Sequence, residues 1–279
     1  MAVYSFFIAA HTIAVIKMNT RKNRILQITD THLFADPQGH LMGVKTLSSL
    51  DAVLERIQDE YSDFNGFLVT GDLSQDKTRQ SYQLLKDRLD VFGKPQFWLQ
   101  GNHDNTETMQ GINSEAMIQR VAMGRWQILL LNSQVPGQPH GHLKESELKR
   151  LEEYLWSHSN SHSLIALHHH PESINSLWMD KIGLDNAGAL QEVLMSHSNV
   201  KGIVHGHVHQ AREYSLDDVP VLATPSTCLQ FLPESTEFSV EPAMPGFRVL
   251  DLLETGEIES LVVRLDDFAL GLDLSLNGY

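Results

Sequence analysis

Five short polar blocks in this chain each follow an apolar run: Asp30-Thr31-His32, Gly71-Asp72, Gly101-Asn102-His103-Asp104, His168-His169-His170-Pro171 and Gly206-His207-Val208-His209. Between them they offer carboxylates, an amide oxygen and imidazoles, a mixed donor set suited to hard or borderline metal ions. Two such ions held close together clamp a phosphate ester and generate hydroxide at neutral pH. Asp30 and His32 flank one residue, so both side chains can reach one ion. Gly71 lets the backbone turn sharply beside an ion, and Asp72 after it can bridge two metals with its two oxygens. Asn102 presents a neutral carbonyl oxygen as a ligand. His103 beside it points elsewhere, free to donate a proton, and Asp104 is placed to orient it. His207 and His209, two apart, reach neighbouring ions. Taken singly, Asp-x-His and Gly-Asp are ordinary turns. Gly-Asn-His-Asp is rarer, and all five blocks in order at strand ends argue for chemistry.

Such blocks need a frame that brings distant residues to one edge. Apolar periodicity predicts strands over 24–28, 66–70 and 96–100, each ending at one of the first three blocks, with helices over 46–61 and 78–91 between them. This β-α-β-α-β alternation belongs to a sheet with helices packed on it. In such sheets ligands gather at the strand C-termini. Further strands are expected over 126–132, 163–167 and 201–204, the last two running into the histidine blocks. Helices are expected over 144–157 and 187–196, the second with Asn186 as N-cap. Strands over 220–224, 246–253 and 260–265 follow with no helix between them. No linker, repeat or low-complexity stretch divides the chain. The expectation is one α/β domain over 18–265, two packed sheets with outer helices, and a loose tail over 266–279.

The chain has 279 residues, 42% hydrophobic and 20% charged, which is ordinary globular composition and enough for a large core. The formal charge of −14 argues against a non-specific nucleic-acid binder, which needs a basic stripe. It leaves a phosphate substrate open, because bound cations can dominate the local field. Cys228 is the sole cysteine, so no intrachain disulfide forms. That fits a reducing, cytoplasmic setting, with Cys228 as a small buried hydrophobe. Residues 2–16 are mostly apolar but shorter than the roughly 20 residues of a membrane span. No Lys or Arg precedes them, as a secretory signal requires. Met18 offers an alternative start, so 1–17 is expected to be a dispensable or mis-started extension. No other long apolar run exists, and no membrane partner is expected.

In order and type the blocks resemble the calcineurin-like metallophosphoesterase family, whose pattern is D-x-H, G-D, G-N-H-[DE], H and G-H-x-H. Every element is present over residues 30–209. The stretches 25–34, 70–73, 126–131, 167–171 and 222–228 further resemble the bacterial class III cyclic-nucleotide phosphodiesterases, including the cyclic AMP enzymes of gamma-proteobacteria. Proteins of that kind begin near the position of Met18. The resemblance implies a four-layer αββα sandwich of two mixed sheets flanked by helices. It implies that Asp30, His32 and His209 hold one ion, that Asn102, His207 and one of the His168/His169 pair hold the other, and that Asp72 bridges them. The family histidine is followed by one residue and then proline, which favours His169, with His168 as the alternative. His32, Asp72, Asn102, His103 and His209 would contact the substrate phosphate. Iron and manganese are the implied ions, with zinc and cobalt as alternatives. The implied partner is a small cyclic nucleotide, and the implied reaction is hydrolysis of 3′,5′-cyclic AMP to 5′-AMP. His103 would protonate the departing 3′ oxygen or stabilise its charge.

Two rivals stand beside this reading. One is a broad-range phosphodiesterase acting on 2′,3′-cyclic nucleotides, glycerophosphodiesters or nucleic-acid ends. The other is a non-catalytic metal- or nucleotide-binding module, against which His103 counts, since binding alone does not need it. The chain has 15 histidines, far more than the site uses. His11, His40, His158, His162 and His197 read as solvated or helix-end residues. His170 and His205 read as supports of the ligands. His140 and His142 lie in a Pro/Gly loop and read as ordinary loop residues, with a place at the substrate mouth as the sharper alternative. Phe34, Trp178 and Phe231 read as core aromatics, with base stacking as the alternative. The proline and hydroxyls of 224–228 suggest a rigid turn near the site.

Overall fold

A computed structural model describes residues 13–16, 22–276 and 278. Two large mixed sheets carry the fold. The first has five strands in the order Ile258–Arg264, Gly246–Leu253, Lys22–Ile28, Gly66–Thr70 and Gln96–Leu99. The last three run parallel, and Gly246–Leu253 is antiparallel to both of its neighbours. The second has seven strands in the order Ile13–Ile16, Arg120–Met123, Trp126–Leu130, His162–Ala166, Val200–His205, Val219–Ala223 and Arg212–Leu216. Its four strands from Trp126 to Ala223 are parallel, with antiparallel partners on either side.

Alternation along the strands explains why the sheets stack. In Lys22–Ile28, Leu26 and Ile28 face a core shared with the helices Thr46–Glu60 and Arg79–Asp90, while Ile25 faces the other way. Phe67 and Val69 go to that helical core, and Leu68 goes inward. From the second sheet, Trp126, Ile128, Leu130, Leu164 and Val204 meet Ile25, Leu68, Phe97, Leu99 and Leu250 in one inter-sheet core. Leu129, Ile165 and Ile203 face outward onto the helices Glu145–Ser157 and Ala187–Met195. Period-two patterning therefore gives each sheet two apolar faces, and four layers bury them. This is the αββα sandwich that the family resemblance implied.

The expected helices and strands all appear, with ends shifted by a residue or two. Thr78 caps Arg79–Asp90 by accepting from the Ser81 backbone N–H. Asn186 does stand before Ala187–Met195, but it makes no side-chain cap; its amide pairs with the Leu143 backbone instead. Patterning missed the helix Thr106–Asn113, which buries only Met109 and so carries no apolar stripe. It also missed Arg120–Met123 and the edge strand Arg212–Leu216, which bury one face each. The segment after Asp266 is not a loose tail: Phe268, Leu270 and Leu272 pack with Met42, Val44 and Ile174, and the Asp273 N–H donates to the Met42 carbonyl. Within 1–17, Ile13–Ile16 pairs parallel with Arg120–Met123, and the rest lies outside the described residues. No described helix is long and apolar enough to cross a membrane.

Leu68 is fully buried between the sheets. Leu68→Ala is expected to lower unfolding free energy by about 2–5 kcal/mol, the cost of an interior cavity, measured by urea denaturation.

Candidate metal centre

All five blocks sit just past the C-terminal ends of strands, three on the first sheet and two on the second, and the sandwich brings those ends together. The Asp30 N–H donates to the Gly71 carbonyl, and the His32 N–H to the Asp72 carbonyl. Across the sheets, the Asp30 carboxylate accepts from the His207 backbone N–H at 3.2 and 3.1 Å. Gln27, fully buried between the layers, donates to Thr70 Oγ1 and the His205 carbonyl and accepts from Thr224 Oγ1. Ser226 Oγ donates to the Asp30 carbonyl, so the turn over 224–228 does lie against the site.

Two clusters of acceptors result, joined by a third group. Asp30, His32 and His209 place ligand atoms within 4.8 Å of one another, as do His168, His169 and His207, and the group Asp30, Asp72 and His168 links the two. Carbonyl and amide oxygens only accept hydrogen bonds, and this fixes the imidazole tautomers. His32 Nδ1–H donates to Gln75 Oε1, and His209 Nδ1–H to the Leu229 carbonyl. Their Nε2 lone pairs then face each other at 3.1 Å. His168 Nδ1–H donates to the Thr70 carbonyl, which aims its Nε2 at Asn102 Oδ1 (3.2 Å) and Asp72 Oδ2 (3.3 Å). His207 Nε2–H donates to the Ile182 carbonyl and leaves Nδ1 as its ligand atom. Acceptors crowded against acceptors need a positive charge between them, so the donor set fits metal ions.

Asp72 stands between the clusters. Its Oδ1 accepts the His103 backbone N–H at 2.8 Å, while Oδ2 lies 3.3 Å from His168 Nε2 and 3.9 Å from His32 Nε2. Charge follows the geometry. Burial drives His32 down to about 3, so its contact with Asp72 is not an ion pair. Burial opposes charge on His168 too, but Asp72 outweighs it and raises this imidazole to about 9. Burial resists ionisation of Asp30 and Asp72, yet His209 beside the first and His168 and His103 beside the second hold both carboxyls below the usual range.

A family model for calcineurin-like phosphoesterases matches residues 23–211. The chain belongs to that family. It is 42% identical over 260 residues to the 3′,5′-cyclic adenosine monophosphate phosphodiesterase CpdA of Vibrio vulnificus, covering 92% of this chain and 95% of that one. It is also 42% identical over 260 residues to CpdA of Escherichia coli K12, covering 92% and 94%. A 3′,5′-cyclic-nucleotide phosphodiesterase of Nostoc is 37% identical over 244 residues. A dimetal phosphatase from Danio rerio shares the fold, with a TM-score of 0.59 at 15% identity over 87% of this chain and 98% of that one.

Against the family pattern, the structure separates the three consecutive histidines. His168 faces Asn102 and Asp72. His169 Nδ1 hydrogen-bonds Ser133 Oγ at 2.8 Å, and its buried Nε2 has no hydrogen-bond partner among the described residues. The His170 ring stacks on His207 at 5.7 Å and lies 3.5 Å from Asp180. His205 Nδ1–H donates to the Gly206 carbonyl, and Tyr214 OH donates to its Nε2; burial lowers this imidazole to about 3. His170 thus packs on a candidate ligand, whereas His205 holds Gly206 and Tyr214. His140 and His142 instead flank Asp185, and Pro139 rather than either histidine reaches the cavity over the centre. Half-buried Asn102 and His103 line that cavity.

Asp104 does not orient His103. Its carboxylate accepts from the backbone N–H groups of Gly101, Leu73 and Ser74 and from Tyr82 OH, tying the second block to the third. Burial and the neighbouring Asp72 push this carboxyl up to about 7, against the pull of those N–H donors. Gln134, whose amide donates to the Gly101 and Asp104 carbonyls, reinforces the same loop. Gln75, Ser133, Gln134 and Tyr82 were not singled out from sequence, since a lone amide or hydroxyl between blocks carries no spacing signal.

Asp104→Ala strips the acceptor from three buried backbone N–H groups, each worth about 1–3 kcal/mol when left unpaired. The expected result is a stability loss of at least about 3 kcal/mol in denaturant unfolding. A variant that kept full stability and lost only turnover would restore the orienting role.

Proposed function

We propose that this chain hydrolyses 3′,5′-cyclic AMP to 5′-AMP at a two-ion centre. One observation carries the reaction class: two acceptor-lined clusters share a single carboxylate oxygen, Asp72 Oδ2, that reaches toward both. The substrate follows from the 42% identity to CpdA over nearly the whole chain. Asp30, His32 and His209 would hold one ion, Asn102, His168 and His207 the other, and Asp72 both. Between the two histidines that the sequence left open, both grouped with His207, our reading takes His168 rather than His169, supported by its Nε2 being aimed at Asn102 and Asp72. When bound, the pair supplies Lewis-acid stabilisation of the phosphate and a nucleophile at neutral pH. Iron and manganese are our choice of ions, with zinc and cobalt suited to the same donors.

The protein's own part is positioning and proton delivery. His32, Asn102 and His209 orient the phosphate within the clusters. The His103 ring stands edge-on to His32 at 5.1 Å, and its backbone N–H anchors Asp72. It lines the cavity, where its imidazole protonates the departing 3′ oxygen. The net charge of −14 disfavours a nucleic-acid polymer as substrate. A single cysteine and a small cyclic nucleotide as substrate support a cytoplasmic site of action.

Purified protein, tested with cyclic AMP, cyclic GMP, 2′,3′-cyclic AMP and a plain diester, is expected to prefer cyclic AMP. Comparable rates on all four would leave a broad-range phosphodiesterase, and no turnover with metal bound would leave a binding module. In metal analysis, His168→Ala is expected to lose about one ion per chain and His169→Ala to retain both. His103→Ala should lower turnover by about 100-fold, within the range of general acid catalysis, while keeping both ions.

A further inference from the structure

The cavity over the centre has a volume of about 320 Å³, near the lower end for small-ligand sites. Its floor is polar, formed by Asn102, His103 and His207. Its walls are apolar, chiefly Trp178 from the helix Leu177–Asp180, Phe238 and Ile182. Trp178 and Phe238 are both only half-buried, unlike the core aromatics of the sheets. Trp178 meets Phe238 edge-on at 5.2 Å and Phe231 edge-on at 5.1 Å. Phe231 in turn stacks on the His209 ring at 4.1 Å with planes 15° apart. The Ile182 carbonyl holds His207 Nε2–H. The aromatic wall is thus braced against imidazoles of both ion clusters, which fixes its distance from the phosphate position.

A phosphate-binding floor beside an aromatic wall selects a ligand with an anion at one end and a planar ring at the other. We propose that Trp178 is a specificity-determining residue, against which the nucleobase of the substrate stacks in the slot it forms with Phe238. The reading rests on a cyclic nucleotide as substrate. Because every base has a π-face, the slot chiefly separates base-bearing from base-free phosphodiesters, and the larger purine face gains most.

The test uses metal-loaded enzyme with 3′,5′-cyclic AMP and the corresponding base-free ribose 3′,5′-cyclic phosphate. Trp178→Ala is expected to raise KM for cyclic AMP about tenfold, in the range of one lost base stack, with kcat within about twofold. Its kcat/KM on the base-free substrate should match the wild type. Trp178→Phe keeps a smaller aromatic face, so KM should rise only about threefold. Phe238→Ala should behave like Trp178→Ala. Should Trp178→Ala fail to fold, the other two variants carry the same comparison. Equal loss on both substrates, or an unchanged KM for cyclic AMP, would overturn the proposal. Equilibrium binding of 5′-AMP against ribose 5-phosphate separates this claim from the activity itself. A wild-type preference for 5′-AMP that Trp178→Ala removes supports the slot even where no turnover is seen, and no preference overturns it.

Discussion

The centre depends on one contact between the two sheets: the Asp30 carboxylate against the backbone of Gly206 and His207. Both Asp30 oxygens accept the His207 N–H, although Asp30 and His207 come from strands of different sheets. A side chain at Gly206 would run into Thr29 Oγ1 and lie 2.8 Å from Asp30 Oδ2, so only glycine allows the approach. A carboxylate with no solvent exposure must be hydrogen-bonded and matched by positive charge. Asp30 meets the first demand through the opposite sheet and shares the second with His209, 3.5 Å away. The clasp therefore sets the separation of the strand ends, and every other ligand takes its place relative to it.

The ligand loops are held in unfavourable backbone. Asp30, His32, Asp72, His207 and His209 all have φ between 43° and 70°, the left-handed region that side chains with a Cβ seldom enter. Such residues cost about 1–3 kcal/mol each and persist only where surroundings over-determine them. Here the surroundings are visible. Gly71 (φ 99°) turns the chain ahead of Asp72, the Asp104 carboxylate gathers three N–H groups, and Gln27 joins the layers beneath. This backbone holds the acceptors together at the expense of mutual repulsion that a bound cation would relieve.

Much of this was legible in the residues. The five blocks predicted which side chains converge, because metal ligation demands particular atoms and tolerates few substitutes. Strand alternation in Lys22–Ile28 and Gly66–Thr70 predicted the layers, since Leu26, Phe67 and Val69 have to face helices while Ile25 and Leu68 face the other sheet. What stayed hidden was set by orientation rather than composition. Three adjacent histidines look alike in sequence, and only the Thr70 carbonyl distinguishes His168 by turning its Nε2 toward Asn102. Asp104 was legible as a member of the site but not in its role, because adjacency to His103 says nothing of where its carboxylate points. The helix Thr106–Asn113 escaped notice since solvent covers most of its surface and no apolar period is needed there.

The division between strand ends and loops also explains why reaction class is easier to read than substrate. Ligands to an ion are fixed by bond-forming atoms, so their identities recur in short blocks at strand termini. A base-stacking wall needs only flat apolar area, which many residues supply from many positions. Trp178 and Phe238 are 60 residues apart and lie in a short helix and an irregular loop, with no spacing rule to link them. They come together because Phe231, pressed on His209, is a common neighbour of both. The centre thus organises its own specificity pocket: the imidazole that faces the ion cluster on one side carries, on its ring face, the aromatic that positions the wall.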